Sequence, residues 1–387
     1  MREEQSEDVL VEREVRRHSL IRRLLIIGGI LIVLGIAAFL WVRSRRRVYT
    51  EAELIRKTDQ SAAASVYTGF AGGVLRCSPG GLALVGADGH QLWNSGHSMD
   101  SPSVTVQEGF GVAADLLGYQ AVIFDKNGVT GRITTNEPIH NAAVSSHGVT
   151  ALVLDSEQSS RIVLFDKTGR QLEITVSLSM SVSGYPLDLA LSPEGTGLVV
   201  SAVSSTSGAL RSQIVFYNFS VGKGESNRLV GYFEYDGVLF PEVAYLSDKR
   251  VAAIGEDRIV FFSLNNEADP ERLKEVSLSA QIQSVSRGSG HLALVQPASG
   301  GSQSQLLVFD AGGSELFKAT IPDVSLRTTA GPEYVLMVTD SGLKLWDYSG
   351  RLRFDGKLTY PGQEVFALDS RTLLQFDGAA VVGYRLK

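Results

Sequence analysis

Gln120–Gly128 reads QAVIFDKNG and Arg161–Gly169 reads RIVLFDKTG: an apolar strand that ends in an aromatic, then Asp, two residues and Gly. The same unit recurs along the chain. Its strand ends fall at Val85, Phe124, Phe165, Tyr217, Phe262, Phe309, Trp346 and Tyr384, separated by 39, 41, 52, 45, 47, 37 and 38 residues. Self-similarity every ~40 residues is the signature of a stacked or radial repeat. Between marks lie further short runs with alternation and turn signals. Before Phe124, SVTV, GVAA and QAVIFD are divided by Glu108-Gly109 and Leu117-Gly118, and Val129 to Thr134 supplies a fourth strand.

Four short antiparallel strands per ~43 residues, repeated about eight times with no helix between them, predict an all-β protein folded as a β-propeller. A lone blade exposes two apolar faces, so it becomes stable only when neighbours cover both and the ring closes. Eight blades are expected, with seven as the alternative if the degenerate first copy LALVGADG and the last, AVVGYRLK, share a blade. The last repeat, Gln363 to Lys387, supplies only about three strands. Ser65–Phe70, SVYTGF, is therefore expected to complete it.

The N-terminus is different in kind. Leu24 to Val42 is 19 residues without charge, about 28 Å as a helix, which matches the hydrocarbon core of a bilayer. Thirteen of them are Leu, Ile, Val or Phe, each favouring insertion by roughly 0.3 to 0.6 kcal/mol. Arg43, Arg45, Arg46 and Arg47 follow Trp41 where a cleavage site would need small neutral residues, so the stretch reads as an uncleaved transmembrane anchor. Arg16, Arg17, Arg22 and Arg23 on the other flank balance those four, and charge alone leaves the orientation open. Thr50 with Glu53 makes a capping box, which predicts a short juxtamembrane helix. The organisation expected is a charged tail over 1–23, a transmembrane helix over 24–42, a linker with that helix over 43–64 and the propeller over 65–387.

From Val48 onward there are 26 Lys plus Arg against 36 Asp plus Glu, a net charge near −10, which argues against nucleic-acid binding. Cys77 stands alone, so it forms no internal disulfide and supplies no Cys-based zinc site. Asp125, Asp166, Asp310 and Asp347 each precede a Gly by three, where a carboxylate accepts backbone N–H bonds and the Gly takes positive φ. DKNG lacks the further oxygen ligands and distal Glu of an EF-type calcium loop. Gly109–Ala114, GFGVAA, matches the dinucleotide fingerprint in letters, but it lies in a β-meander rather than at a helix N-terminus. His90, His97, His140, His147 and His291 show no metal-ligand spacing. No catalytic, cofactor-binding or metal-binding residue is therefore assigned, and no cofactor is expected.

Gly86–Gly96, GADGHQLWNSG, and Asp347–Phe354, DYSGRLRF, resemble the repeat of PQQ-like propellers, where an Asp-to-Gly turn is followed by an aromatic that docks on the next blade. Only Trp93 keeps the docking Trp at that place. One N-terminal span ahead of such a propeller is similar to a family of uncharacterised membrane-anchored bacterial proteins, chiefly from clostridia and their relatives. That resemblance implies a propeller outside the cytoplasm and an N-terminus inside it. The expected function is a non-enzymatic module at the cell envelope that binds another envelope protein or a glycan. The competing readings are an enzyme working in the propeller channel, of quinoprotein or hydrolase type, and a membrane-tethered sensor. Quinoproteins of this shape carry an adjacent cysteine pair, which lone Cys77 cannot provide.

Overall fold

The computed structural model describes residues 30, 32–36, 48–59, 65–156, 159–179, 184–206, 208–220, 228–288, 290–298, 303–360, 362, 364–376 and 380–387. Two compact units result, Met1–Val48 and Tyr49–Lys387. In the first, Ile30 and residues 32–36 are helical and exposed. Among the described residues no helix is long and apolar enough to cross a membrane. Most of the stretch 24–42, and all of the tail 1–23, lie outside them.

The second unit is a β-propeller of eight sheets with four strands each. Blades 1 to 7 are each built from four consecutive strands, and the first strand of each lies innermost, against its counterparts in the neighbouring blades. The inner strands are Val66–Phe70, Pro102–Gln107, Ile139–Val144, Tyr185–Leu191, Glu242–Ser247, Ser284–Gly288, Ser325–Ala330 and Glu364–Ala367. The end of the ring at which these strands begin is here termed the upper face. The Asp-to-Gly turns lie at the lower face.

The repeat motif has a direct physical cause. Its strand is the third of each blade, covered on both sides by neighbouring blades, so it reads as a continuous apolar run instead of alternating. Residues 121–124 are all buried, as are Ile259–Phe262. Phe216 of blade 4 and Phe262 of blade 5 meet edge to face at 5.2 Å, with Val199, Phe240 and Val251 around them. The outermost strands reverse the pattern. Glu271–Ser277 exposes every residue except Val276 to a large degree.

The turns also join blades. Gly169 has φ +84°, and a Cβ there would lie 2.5 Å from the carbonyl oxygen of Arg132 on blade 2. Only glycine allows that approach. Trp93 donates its indole N–H to Lys126 O in the turn of blade 2 at 3.1 Å, the docking that the repeat resemblance implies. Phe317, four residues after Gly313 as Trp93 is after Gly89, fills the same role on blade 7, where a Cβ on Gly350 would meet it at 2.8 Å.

Ring closure differs from the sequence expectation. Ala52–Asp59 is a strand, paired antiparallel with Ala380–Leu386 from Ala52↔Leu386 to Asp59↔Ala380, and it completes blade 8. The helix expected at Thr50–Ile55 is absent, and the propeller begins ahead of Ser65. Val66–Phe70, expected to close the ring, is instead the inner strand of blade 1. The capping box is a local signal worth about 1 kcal/mol, whereas Ala380–Leu386 offers a whole row of unpaired N–H and C=O groups. Glu51 and Lys387 extend the ladder, with Lys387 N donating to Glu51 O at 2.8 Å.

Candidate functional site: the channel mouth and upper face

Polar side chains on the inner strands join one blade to the next. Thr105 Oγ1 of blade 2 donates to Ala142 O of blade 3 at 3.0 Å. Asp188 of blade 4 is the central member. Its Oδ1 accepts from Asn141 Nδ2 of blade 3 at 3.0 Å, and its Oδ2 accepts from Val243 N of blade 5 at 2.9 Å. Arg287 of blade 6 donates to Val243 O at 3.1 Å and pairs with Glu242 at 3.0 Å. Ala330 N of blade 7 donates to Ser286 Oγ of blade 6 at 2.8 Å. Arg327 of blade 7 pairs with Glu364 of blade 8, lies 5.3 Å from the Phe366 ring and donates to Tyr67 O of blade 1 at 3.3 Å.

Local backbone geometry places these groups. Asn141, Asp188 and Arg327 each follow a register shift in the inner strand, between Ile139 and Asn141, Pro186 and Asp188, and Ser325 and Arg327. A bulge re-aims the following side chain, here along the ring toward the adjacent blade. Burial pushes the Asp188 carboxyl above its ordinary value, opposed by the Arg287 cation and the Val243 N–H. Asp188, Glu242 and Glu364 are each engaged by a neighbouring blade, so the chemistry of this collar is to hold blades together.

At the upper rim of blades 3 and 4, Tyr185 donates its hydroxyl hydrogen to Asp155 Oδ2 at 2.8 Å and lies 3.0 Å from His140 Nδ1. Asp155 Oδ1 accepts from Ser160 Oγ at 2.8 Å. Burial and the Asp155 contact push the Tyr185 hydroxyl up to about 12, so it stays neutral at physiological pH.

Blades 7, 1 and 2 present a different surface at the same face. Val324, Leu326, Val66, Leu117 and Tyr119 are exposed there. Leu117 is 75% exposed and has φ +64°, a left-handed conformation that a Leu adopts at a cost of about 1–2 kcal/mol. Four backbone hydrogen bonds hold its loop: Leu116 N to Ser101 O, Leu117 N to Ile139 O, Gly118 N to Asp115 O and Ile139 N to Gly118 O, at 2.7–3.0 Å. Asp115 Oδ1 braces the adjoining segment by accepting from Asp100 N and Ser101 N at 2.9 and 2.8 Å. The side chain is thus rigidly displayed to solvent.

Apart from His140 at the upper rim, the residues singled out in the sequence lie elsewhere. Phe110–Asp115 is the second strand of blade 2 and Gly109 belongs to the hairpin before it, so GFGVAA opens no helix. The turn aspartates make the expected bonds: Asp125 Oδ1 accepts from Asn127 N and Gly128 N at 2.7 and 3.1 Å, and Asp310 Oδ1 accepts from Gly312 N and Ser314 N at 2.8 Å. Cys77 is fully buried, and burial pushes its thiol up to about 12. His97 Nε2 lies 3.9 Å from its sulfur, with burial and Arg132 lowering the imidazole's affinity for a proton. Among the described residues no group of three or more His, Cys, Asp and Glu is placed to hold a metal ion. The collar residues and Leu117 were not found from the sequence. An isolated acid or base inside an inner strand, as in PLDLA at Asp188, was the available signal.

The ring of eight four-stranded blades makes the protein a β-propeller of the kind seen in many solved structures. Residues 45–378 match the family of unknown function DUF5711, and the protein belongs to that family. No curated protein matches it. Similar structures include the Dos1 propeller, at 12% identity over 86% of this chain and 95% of that one with a TM-score of 0.50. BamB from Moraxella catarrhalis has 11% identity over 87% of this chain and 100% of that one, TM-score 0.49. A functionally unknown protein from Desulfotomaculum acetoxidans has 9% identity over 71% and 91%, TM-score 0.46. Identities this low speak to the fold alone.

Proposed function

We propose that this protein is a membrane-tethered, non-enzymatic binding scaffold whose propeller holds another envelope protein by its upper face. Leu24–Val42 is the span, the N-terminus is cytoplasmic and the propeller lies outside the cytoplasm. The observation that carries the reading is Leu117, an exposed apolar side chain kept in a strained conformation by a rigid loop. Strain of this kind persists where surrounding structure enforces it and clusters at functional positions, and a rigid apolar protrusion binds a partner without loss of loop entropy. The collar supports a binding role over catalysis, because its carboxylates are engaged in joining blades.

Two measurements test this. Protease added to intact spheroplasts is expected to remove the domain after Val48, whereas protection until lysis would reverse the topology. A photoreactive amino acid in place of Leu117, in the full-length protein in native membranes, is expected to cross-link to one discrete protein, with no such product from Asn127 at the lower face. Equal labelling from both positions, or none from Leu117, would overturn the upper-face reading.

A further inference from the structure

The blades do not meet equally. Among the described residues, the buried apolar cluster between blades 3 and 4 has 13 residues, whereas that between blades 8 and 1 has six: Val74, Val85, Phe366, Leu374, Phe376 and Val381. This thin junction is where the closing strand Ala52–Asp59 passes the turn of blade 1. There it leaves a cleft of about 160 Å³, with Ile55 and Arg56 on the closing strand, Gly89 on the turn, and Leu374, Val381 and Gly383 on blade 8. Two glycines keep it open. A Cβ on Gly383 would find no atom nearer than 4.0 Å, and one on Gly89 would come no closer than 3.7 Å to Val381.

The volume is that of one aliphatic side chain, since a cavity of about 150 Å³ takes a benzene-sized group. Its floor is apolar, and its rim carries the Arg56 cation with Asp88 beside it. Arg56 donates Nη1 to Asp88 O at 2.9 Å and has Nη2 2.5 Å from His90 Nε2. Those contacts use two of the five guanidinium N–H groups, and among the described residues no carboxylate pairs with this arginine. The Asp88 carboxylate is engaged in its own turn, accepting from His90 N at 3.0 Å. The remaining donors suit a carboxylate, which a guanidinium binds in a forked geometry.

We propose that this seam is a subsite for the C-terminal residue of a peptide, taking a final Leu, Ile or Val side chain into the cleft and pairing its terminal carboxylate with Arg56. One side chain fills the space, so the carboxylate must belong to the same residue or stand directly beside it, which a C-terminal aliphatic residue satisfies. The ligand bridges the closing strand to blade 1, and occupancy strengthens the junction that has the smallest buried cluster among the described residues. This site is separate from the upper face and stands or falls independently of it.

The test uses the full-length protein in detergent micelles with labelled Ile, Leu and Val methyls, and N-acetylglycyl-leucine as free acid and as C-terminal amide. The acid is expected to shift the methyls of Ile55, Leu374 and Val381 saturably, and the amide to bind at least about tenfold more weakly. Arg56→Gln, on an exposed side chain, should remove that discrimination. Gly383→Leu should fill the cleft and abolish the shifts without lowering the melting temperature, and Arg56→Gln carries the test alone if that variant does not fold. Equal titration by acid and amide, shifts confined to other methyls, or binding retained in a folded Gly383→Leu protein would each overturn the proposal.

Discussion

Replacing Asp188 by Ala tests whether the inner collar stabilises the ring. Removing the carboxylate leaves Asn141 Nδ2 and Val243 N–H, from two other blades, without their acceptor. Each orphaned buried donor costs about 1–3 kcal/mol, and release from burying a carboxylate returns part of it. A net loss of about 3 kcal/mol is expected. The domain Tyr49–Lys387 unfolds with about 2 cal/mol/K of entropy per residue, so that loss lowers the melting temperature by on the order of 4 °C. Asp188→Asn keeps one acceptor and should lose about half as much. The pH dependence has a definite sign. Because burial raises the folded carboxyl above its unfolded value near 3.9, the native state holds this proton more tightly, and the group's contribution falls as pH rises through that window. Wild-type stability relative to Asp188→Asn should therefore shrink from about pH 4 upward. Urea unfolding followed by Trp93 and Trp346 fluorescence at several pH values measures both effects. A loss below about 1 kcal/mol for Asp188→Ala, or a gap that widens with pH, would refute the reasoning.

Other outcomes follow from the same structure. Leu117→Gly should leave stability within about 0.5 kcal/mol of wild type, because relief of left-handed strain offsets the greater entropy of the unfolded glycine; a larger loss in chemical denaturation would show that the side chain serves the fold. Truncation to residue 60 removes the closing strand and leaves Ala380–Leu386 as an open edge, so aggregation and a large drop in calorimetric melting temperature are expected, whereas truncation to residue 47 should leave the propeller transition unchanged. Asp166→Ala should cost about 1–2 kcal/mol at neutral pH through its lost turn bonds. Hydrogen bonding from the Thr168 hydroxyl leads the effects that hold the Asp166 carboxyl down to about 2, so its contribution is present above the unfolded value and is lost as pH falls to about 2, closing the gap between the two proteins there. Cys77 should resist a thiol reagent in the folded protein and react fully in denaturant, and rapid native labelling would contradict its burial.

The residues that were informative in the sequence are those whose environment is set by the repeat. The third strand of each blade is covered on both faces, so Ile123-Phe124 and Phe261-Phe262 had to be apolar, and that run marks every blade. Asp125, Asp166, Asp310 and Asp347 bond backbone groups within four residues, so turn chemistry alone placed them. The closing strand escaped because its partner lies at the other end of the sequence. Glu53, Leu54, Ile55, Arg56 and Lys57 are largely exposed and show no strand alternation, while Thr50 and Glu53 offered a helix start.

Periodicity and composition were enough to establish an all-β propeller of four-stranded blades, with eight expected and seven as the alternative, because a blade's burial pattern and its Asp-to-Gly turns are local and repeat in the letters; the count of eight came from the structure. Tertiary structure alone decided which strand completes blade 8, which inner-strand side chains join the blades, and where an apolar side chain stands out from the upper face. Each of these depends on long-range geometry. Asn141, Asp188 and Val243 belong to three blades, and their meeting rests on bulges and register that no single repeat encodes.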